Sequence, residues 1–485
     1  MDQFTQNFWQ EYQRFLKTML TTEQPHPQTA GLSMLAQKDM AVALALLFAV
    51  DAEAIIAFKS IDLAPFNKAI NTSLQEGGRI FLVGCGASAR MAMQIEFLCR
   101  QRVPDSNQVK AVIAGGDIAL IEAVERCEDE PSFAIKHLEA LGLSRNDLVI
   151  GLSAGGESPF ILEAIRYAST LCTDKPWLLY CNPATALITR NEHHVITNPM
   201  VAHLCLDVGP MALTGSTRMQ ATTVMTLALL SAFFGIESEL EIFLDKIKHL
   251  PLQALASFAE YETSLYQQKE HVLYHVSAQY SLSILADTTE RSPTFNVPTF
   301  EHGAQKTPAW AYMMIDGSHD KVDAWQQLLL RAPEVLNWPD LPQTAQSYLD
   351  EFDLSSSYHG ERRDIYFNEV ADGLSLQYAD KIIPLDMTGL SVSMRQLLLR
   401  LIMVNHSTAV FGRLGFYQGN LMTFVKPSNF KLVDRAVRYI QFLAQAEYKK
   451  QLSYREVAEF VLAERVRLSD KVSIVSLGLE HFVPH

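Results

Sequence analysis

Apolar positions in the first 75 residues keep a helical rhythm. Leu32, Leu35, Met40 and an alanine-rich stretch to Val50 predict a packed helix that no turn cluster interrupts. The pattern then changes. Short, near-continuous apolar runs follow at 79–84 (RIFLVG), 109–115 (VKAVIAG), 147–153 (DLVIGLS), 176–181 (PWLLYC) and 203–208 (HLCLDV). Each of the first four leads into Gly, Ser, Asn or Asp and then into a helical stretch. Strand alternating with helix predicts a parallel sheet covered on both faces. Runs without polar alternation say the same.

A second, less regular series follows. Strands are expected at 271–276 (HVLYHV), 310–315 (WAYMMI), 363–367 (RDIYF) and 381–385 (KIIPL), with helical stretches such as 320–332 between them. This reads as a degenerate copy of the first α/β unit. From about 392 to 465 the pattern is helical again. No low-complexity linker separates the parts, so they are expected to pack tightly.

A chain of 485 residues exceeds what one core serves, which agrees with two units. Lys and Arg number 40 against 54 Asp and Glu, a net charge of −14. That balance argues against nucleic acid as a partner, because a phosphate backbone needs a basic face. It leaves room for a small pocket that binds one phosphate. The apolar runs 41–50 and 224–230 fall short of the roughly 20 residues of a membrane span, so no membrane partner is expected. The six cysteines contain no CxxC pair and read as free thiols of a cytoplasmic protein.

Two strand-to-helix loops carry the candidate chemistry. The first is Gly84-Cys85-Gly86-Ala87-Ser88-Ala89-Arg90. Its glycines let backbone approach a ligand, and the next helix points its N–H groups there. Alone it also fits a dinucleotide loop or an empty turn. The second loop is Ser153-Ala154-Gly155-Gly156-Glu157-Ser158-Pro159, with Pro159 suited to a first helical turn. Two hydroxyl loops at the carboxyl ends of parallel strands suit a phosphate monoester. Asp117 lies too far beyond its strand to hold the ribose of a dinucleotide.

With these loops, the segments IAGGD (113–117), AVERCED (123–129), LTGSTRM (213–219), GNLM (419–422) and SNFKLVDRAVR (428–438) resemble the sugar isomerase (SIS) family. Within it they resemble the branch of N-acetylmuramic acid 6-phosphate etherase and glucokinase regulatory protein. The resemblance implies two Rossmann-like SIS domains, each an α/β/α layer on a parallel five-stranded sheet, and a C-terminal helical portion. About 200 residues separate Arg218 from Gly419, room for the second domain. The expected division is 1–50 helical, 51–240 the first SIS domain, 241–400 a degenerate second, and 401–485 helical and completing the site.

The resemblance also implies a phosphosugar ligand and no cofactor or metal. Gly86, Ala87, Ser88, Ser153, Ala154, Gly155 and Ser158 are expected around the phosphate, and Glu125, Glu128, Glu290 and Lys431 around the sugar. In the etherase the position of Glu125 is the base that removes a proton beside the ether. The etherase's acid for the leaving oxygen falls on Leu98 here, which cannot donate a proton; Glu96 is near in sequence but points away. The segment Asp287–Phe295 repeats the D-x-x-E-x-x-P-T-F order of the etherase acid, so Glu290 of the second domain is the substitute. Ala87 and Ala89 stand where the family has Thr and Gly, and Glu157 where the etherase has Arg. The loop after the second unit's first strand, Ser277-Ala278-Gln279-Tyr280-Ser281, has no glycine, so one ligand site per chain is expected. A phosphosugar sensor or regulator is the favoured reading; an etherase-like lyase or an aldose–ketose isomerase, led by Glu125 and Glu290, is the alternative. A sugar kinase partner or a homo-oligomer stays open.

Overall fold

Strands β1 (Ile80–Gly84), β2 (Val109–Ile113), β3 (Leu148–Leu152), β4 (Trp177–Tyr180) and β5 (Ala202–Cys205) form one parallel sheet in the order β2-β1-β3-β4-β5. The computed structural model describes residues 2–483 apart from 105, 123, 299, 301–306, 337, 339–350 and 359, and only the backbone of Glu125 and Arg126. Every residue of β1 and β3 is buried, because both faces are covered. Ile80 and Leu82 join the core that holds Met91 and Ile95 of the helix Gly86–Arg102. Phe81 and Val83 pack with Phe160 and Ile165 of the helix Pro159–Leu171 on the other face. At the end of β1 the helix sits hard against the strand: a Cβ on Gly84 would lie 2.7 Å from the Ala89 nitrogen. From β1 the chain goes to β2 on one side and then to β3 on the other. The order therefore reverses between β1 and β3, where open α/β sheets form their ligand crevice.

The second sheet departs from expectation. Its strands are β6 (Val272–Val276), β7 (Ala311–Ile315), β8 (Arg363–Val370), β9 (Gly373–Tyr378) and β10 (Lys381–Asp386), in the order β10-β9-β8-β6-β7. Only β7, β6 and β8 run parallel; β8, β9 and β10 form an antiparallel meander. Strand β9 was not among the expected runs. The reason is connection length. Two residues, Ala371-Asp372 and then Ala379-Asp380, join successive strands, and a parallel crossover needs about a dozen residues.

The helix Met40–Phe58 is, by length and composition, long and apolar enough to cross a membrane, so its run is longer than the sequence suggested. Here it packs against the helices Leu252–Gln267, Gln220–Phe234 and Val392–Arg413. Asp51 within it accepts hydrogen bonds from Gln220 (2.5 Å) and Asn405 (2.6 Å), and burial pushes its carboxyl up to about 7. The helix Val392–Arg413 runs through the expected 400/401 boundary and is buried along most of its length. One continuous apolar core links both sheets. Polar clasps fix their relative position: Arg218 to Asp287 (2.8 Å), Gln94 to Gln396 (3.0 Å), and Arg331 to Glu96 (2.9 Å) and Asp117 (2.6 Å).

Candidate functional site

The two hydroxyl loops line the same cleft. It encloses about 830 Å³ open to solvent and is bounded by Ser88, Ser153, Ala154, Gly155 and Ser158. A second lobe, lined by Gly86, Ala87, Ser216, Thr217 and Glu290, shares Cys85, Glu128, Thr217 and Lys431 with the first. All the candidate residues except Glu125 therefore border one crevice at the β1/β3 switch. Glu125 begins the 3₁₀ turn Glu125–Asp129, and its side chain lies outside the described residues.

Local chemistry shapes each loop. Ser88 Oγ accepts from the Cys85 N–H (3.3 Å) and donates to the Cys85 carbonyl (2.9 Å), closing the first turn of its helix. Ser153 Oγ accepts from the N–H groups of Gly156 (3.1 Å) and Ser158 (3.4 Å). Cys85 Sγ and Ser158 Oγ meet at 3.4 Å, so the loops touch. The helices Gly86–Arg102 and Pro159–Leu171 both start at this point, and their aligned peptide dipoles favour an anion there.

The opposite wall comes from the C-terminal portion. Asn429 caps the helix Phe430–Tyr448 by accepting from the Leu432 N–H (2.9 Å), and its amide donates to Glu128 (2.9 Å). Lys431 reaches Glu128 at 3.3 Å. The neighbouring Asp129 accepts from the Phe430 N–H (2.9 Å); burial first, then the adjacent Glu128 charge, push its carboxyl up to about 7.

Glu290 enters from the second domain on the helix Ala278–Phe295 and is bonded by the Arg90 guanidinium, not by its neighbour Arg291. Arg291 faces the other way, onto Asp287 (2.8 Å) and Glu262 (2.9 Å). Leu98 is buried. Glu96 is held away from the cleft by Arg100 (2.9 Å), Arg331 (2.9 Å) and the Ala111 N–H (3.0 Å). Glu157 does not leave its charge in the cleft, because Arg190 binds both its oxygens at 2.7 and 3.0 Å.

Several lining residues had not been singled out: Arg14, Glu23, Asp129, Arg190, Thr217, Asp434, Arg435 and Arg438. For Arg435 a signal existed. It stands four positions after Lys431, on the same helical face. Its partner Glu23 (2.7 Å) lies 412 residues away and left none. Gly215 lies in the left-handed region (φ 73°) that favours glycine, and a side chain there would also displace the Arg435–Glu23 pair.

A parallel sheet with paired hydroxyl loops at its switch point defines a sugar isomerase (SIS) domain protein. Residues 63–169 match the family model of the glucokinase regulatory protein N-terminal SIS domain. N-acetylmuramic acid 6-phosphate etherase of Geobacillus thermodenitrificans is 32% identical over 213 residues, 43% of this chain and 68% of that enzyme. The etherase of Pectobacterium atrosepticum is 37% identical over 173 residues, 35% of this chain and 52% of that enzyme. The chain belongs to the branch of the SIS family that holds N-acetylmuramic acid 6-phosphate etherase and glucokinase regulatory protein. It spans about half the length of several curated etherases that it matches. Among solved structures, tagatose-6-phosphate ketose/aldose isomerase from Escherichia coli is similar at 14% identity and a TM-score of 0.45, over 82% of this chain and 97% of that one.

Proposed function

We propose that this protein binds a sugar phosphate in the two-lobed cleft and serves as a sensor or regulator of sugar-phosphate metabolism. The observation that carries this reading is the meeting of Ser88, Ser153 and Ser158 at two helix N-termini, opposite Lys431. The phosphoryl group sits in the lobe of the serine loops and takes hydrogen bonds from hydroxyls and loop N–H groups. The sugar extends into the second lobe, where Glu128 and Glu290 accept from its hydroxyls. In this reading Glu125 also holds the sugar, no cofactor or metal takes part, and the partner is a sugar kinase or a second copy of this chain.

Elimination of an ether needs an acid for the leaving oxygen. Leu98 cannot supply it, and Glu290 is engaged by Arg90. These two features favour binding over turnover. The second reading is an etherase-like lyase or an isomerase, with Glu125 as its base and Glu290 as its acid. It is favoured by the convergence of Glu128 and Glu290 on one lobe and by the likeness to the etherase relatives. A thermal-shift panel of sugar phosphates, followed by product analysis of each stabilising compound, separates the readings. Stabilisation without turnover supports the sensor. D-lactate released from N-acetylmuramic acid 6-phosphate, and lost in Glu125→Gln, supports the lyase. If no sugar phosphate stabilises the protein, both fail.

A further inference from the structure

The lobe of the serine loops is roofed by the amino-terminal segment: Arg14, Phe15, Met19, Leu20 and Glu23 all line it. This segment is latched from both sides. Arg190 donates to the Thr18 carbonyl (2.9 Å), and Lys17 donates to the Arg190 carbonyl (3.1 Å). Arg438 donates to the Phe15 carbonyl, and Arg435 pairs with Glu23. Asn182, which also donates to the Gly155 carbonyl (3.1 Å) of the second serine loop, accepts from the Thr22 N–H (3.0 Å). The roof and the phosphate loop thus share a clasp.

Charge in this lobe is nearly all matched. Arg190 faces Glu157 at 2.7 Å, Arg438 faces Asp434 at 2.9 Å, and Lys431 faces Glu128 at 3.3 Å. Arg14 is the exception among the described cations that line it. Its ion pair is with Glu11 at 3.8 Å, a side chain 54% exposed, which is a poor one, and the buried Asp129 of the same cleft feels its charge without a hydrogen bond between them. Its Nε is buried and has no hydrogen-bond partner among the described residues. A guanidinium with unused donors over a cleft of hydroxyls and N–H groups supplies what those groups lack, a full positive charge in a two-pronged geometry.

We infer that Arg14 clamps the phosphoryl group of the bound sugar phosphate, and that the segment around residues 12–24 is a strap which ligand binding tightens. This rests on the phosphosugar reading above. The probes are glucose 6-phosphate, tagatose 6-phosphate and N-acetylmuramic acid 6-phosphate, titrated calorimetrically into the full chain. With the tightest of them, Arg14→Gln should weaken binding about ten- to hundredfold, the range of a lost charge-assisted hydrogen bond. Arg14→Lys should fall between, because an ammonium keeps charge but not the fork. Ligand should also protect the strap from protease in the natural protein and fail to do so in Arg14→Gln. Affinity within about twofold of the natural protein, or unchanged protection, overturns the inference. If Arg14→Gln does not fold, Arg14→Lys decides: weakening by about threefold or more supports the clamp, and undiminished affinity overturns it. Loss of binding in Ser88→Glu alongside intact binding in Arg14→Gln would sink the strap and spare the phosphosugar reading. No binding of any probe by the natural protein sinks both.

Discussion

The two α/β units use the end of their first strand in opposite ways. In the first, β1 ends at Gly84, the next helix starts at Gly86, and its first turn opens onto the cleft. In the second, β6 ends at Val276 and the next helix starts at Ala278. There Tyr280 is buried, Gln396 bonds the Gln279 carbonyl (2.6 Å), and Ser277 is taken by Glu369. The groups that would receive a phosphate are spent within the protein. The same helix continues and delivers Glu290 to the first unit's cleft. The second unit thus acts as a buttress: its own loop is closed off, and its helix supplies a wall of its neighbour's site.

The buttress should therefore carry stability and the first unit ligand affinity. Arg291→Met tests the first half. It takes one buried cation from Asp287 and Glu262, leaving Asp287 with Arg218 and Glu262 with His406, and breaking a buried pair in this way costs about 3–5 kcal/mol, read by denaturant unfolding. A loss below about 1 kcal/mol would break the comparison. Gly84→Val should cost about 1–3 kcal/mol by overpacking, since its Cβ meets the Ala89 backbone. The reciprocal Val276→Gly should instead lose packing without gaining ligand affinity. Ser88→Glu should abolish stabilisation by sugar phosphates, read as the ligand-induced shift from the variant's own unliganded melting temperature. Undiminished binding would refute the role of that loop.

The smallest effect concerns pH. The Asp129 carboxyl titrates near 7 because it is buried beside Glu128. A phosphate ester is already a dianion at about pH 7 and above. Ionising Asp129 then adds repulsion, so affinity should fall as pH rises from about 7 to 8. Asp129→Asn should flatten that fall; an unchanged slope assigns it elsewhere. The same raised value has a stability consequence. Between the unfolded carboxyl value near 3.8 and about 7 the folded state binds the extra proton, so stability contributed by Asp129 declines as pH climbs through that window. Asp51 acts in the same direction.

Short-range order was legible without coordinates. All five strands of the first sheet, four of the second, and both serine loops announce themselves in runs of four to eight residues, because apolar continuity and turn chemistry act between near neighbours. The missed strand, Gly373–Tyr378, sits between two-residue turns that only hairpin geometry makes meaningful. The D-x-x-E order pointed at Glu290, yet not at Arg90, its partner 200 residues away. Arg14, Arg190 and Glu23 are ordinary charged positions along the chain, and nothing in their neighbourhoods marks them. Their roles arise only when packing brings distant helices within hydrogen-bond reach, where removal from water makes each charge seek a counterpart. Residue type and spacing wrote the loops; burial of charge between elements hundreds of residues apart decided how the cleft is walled.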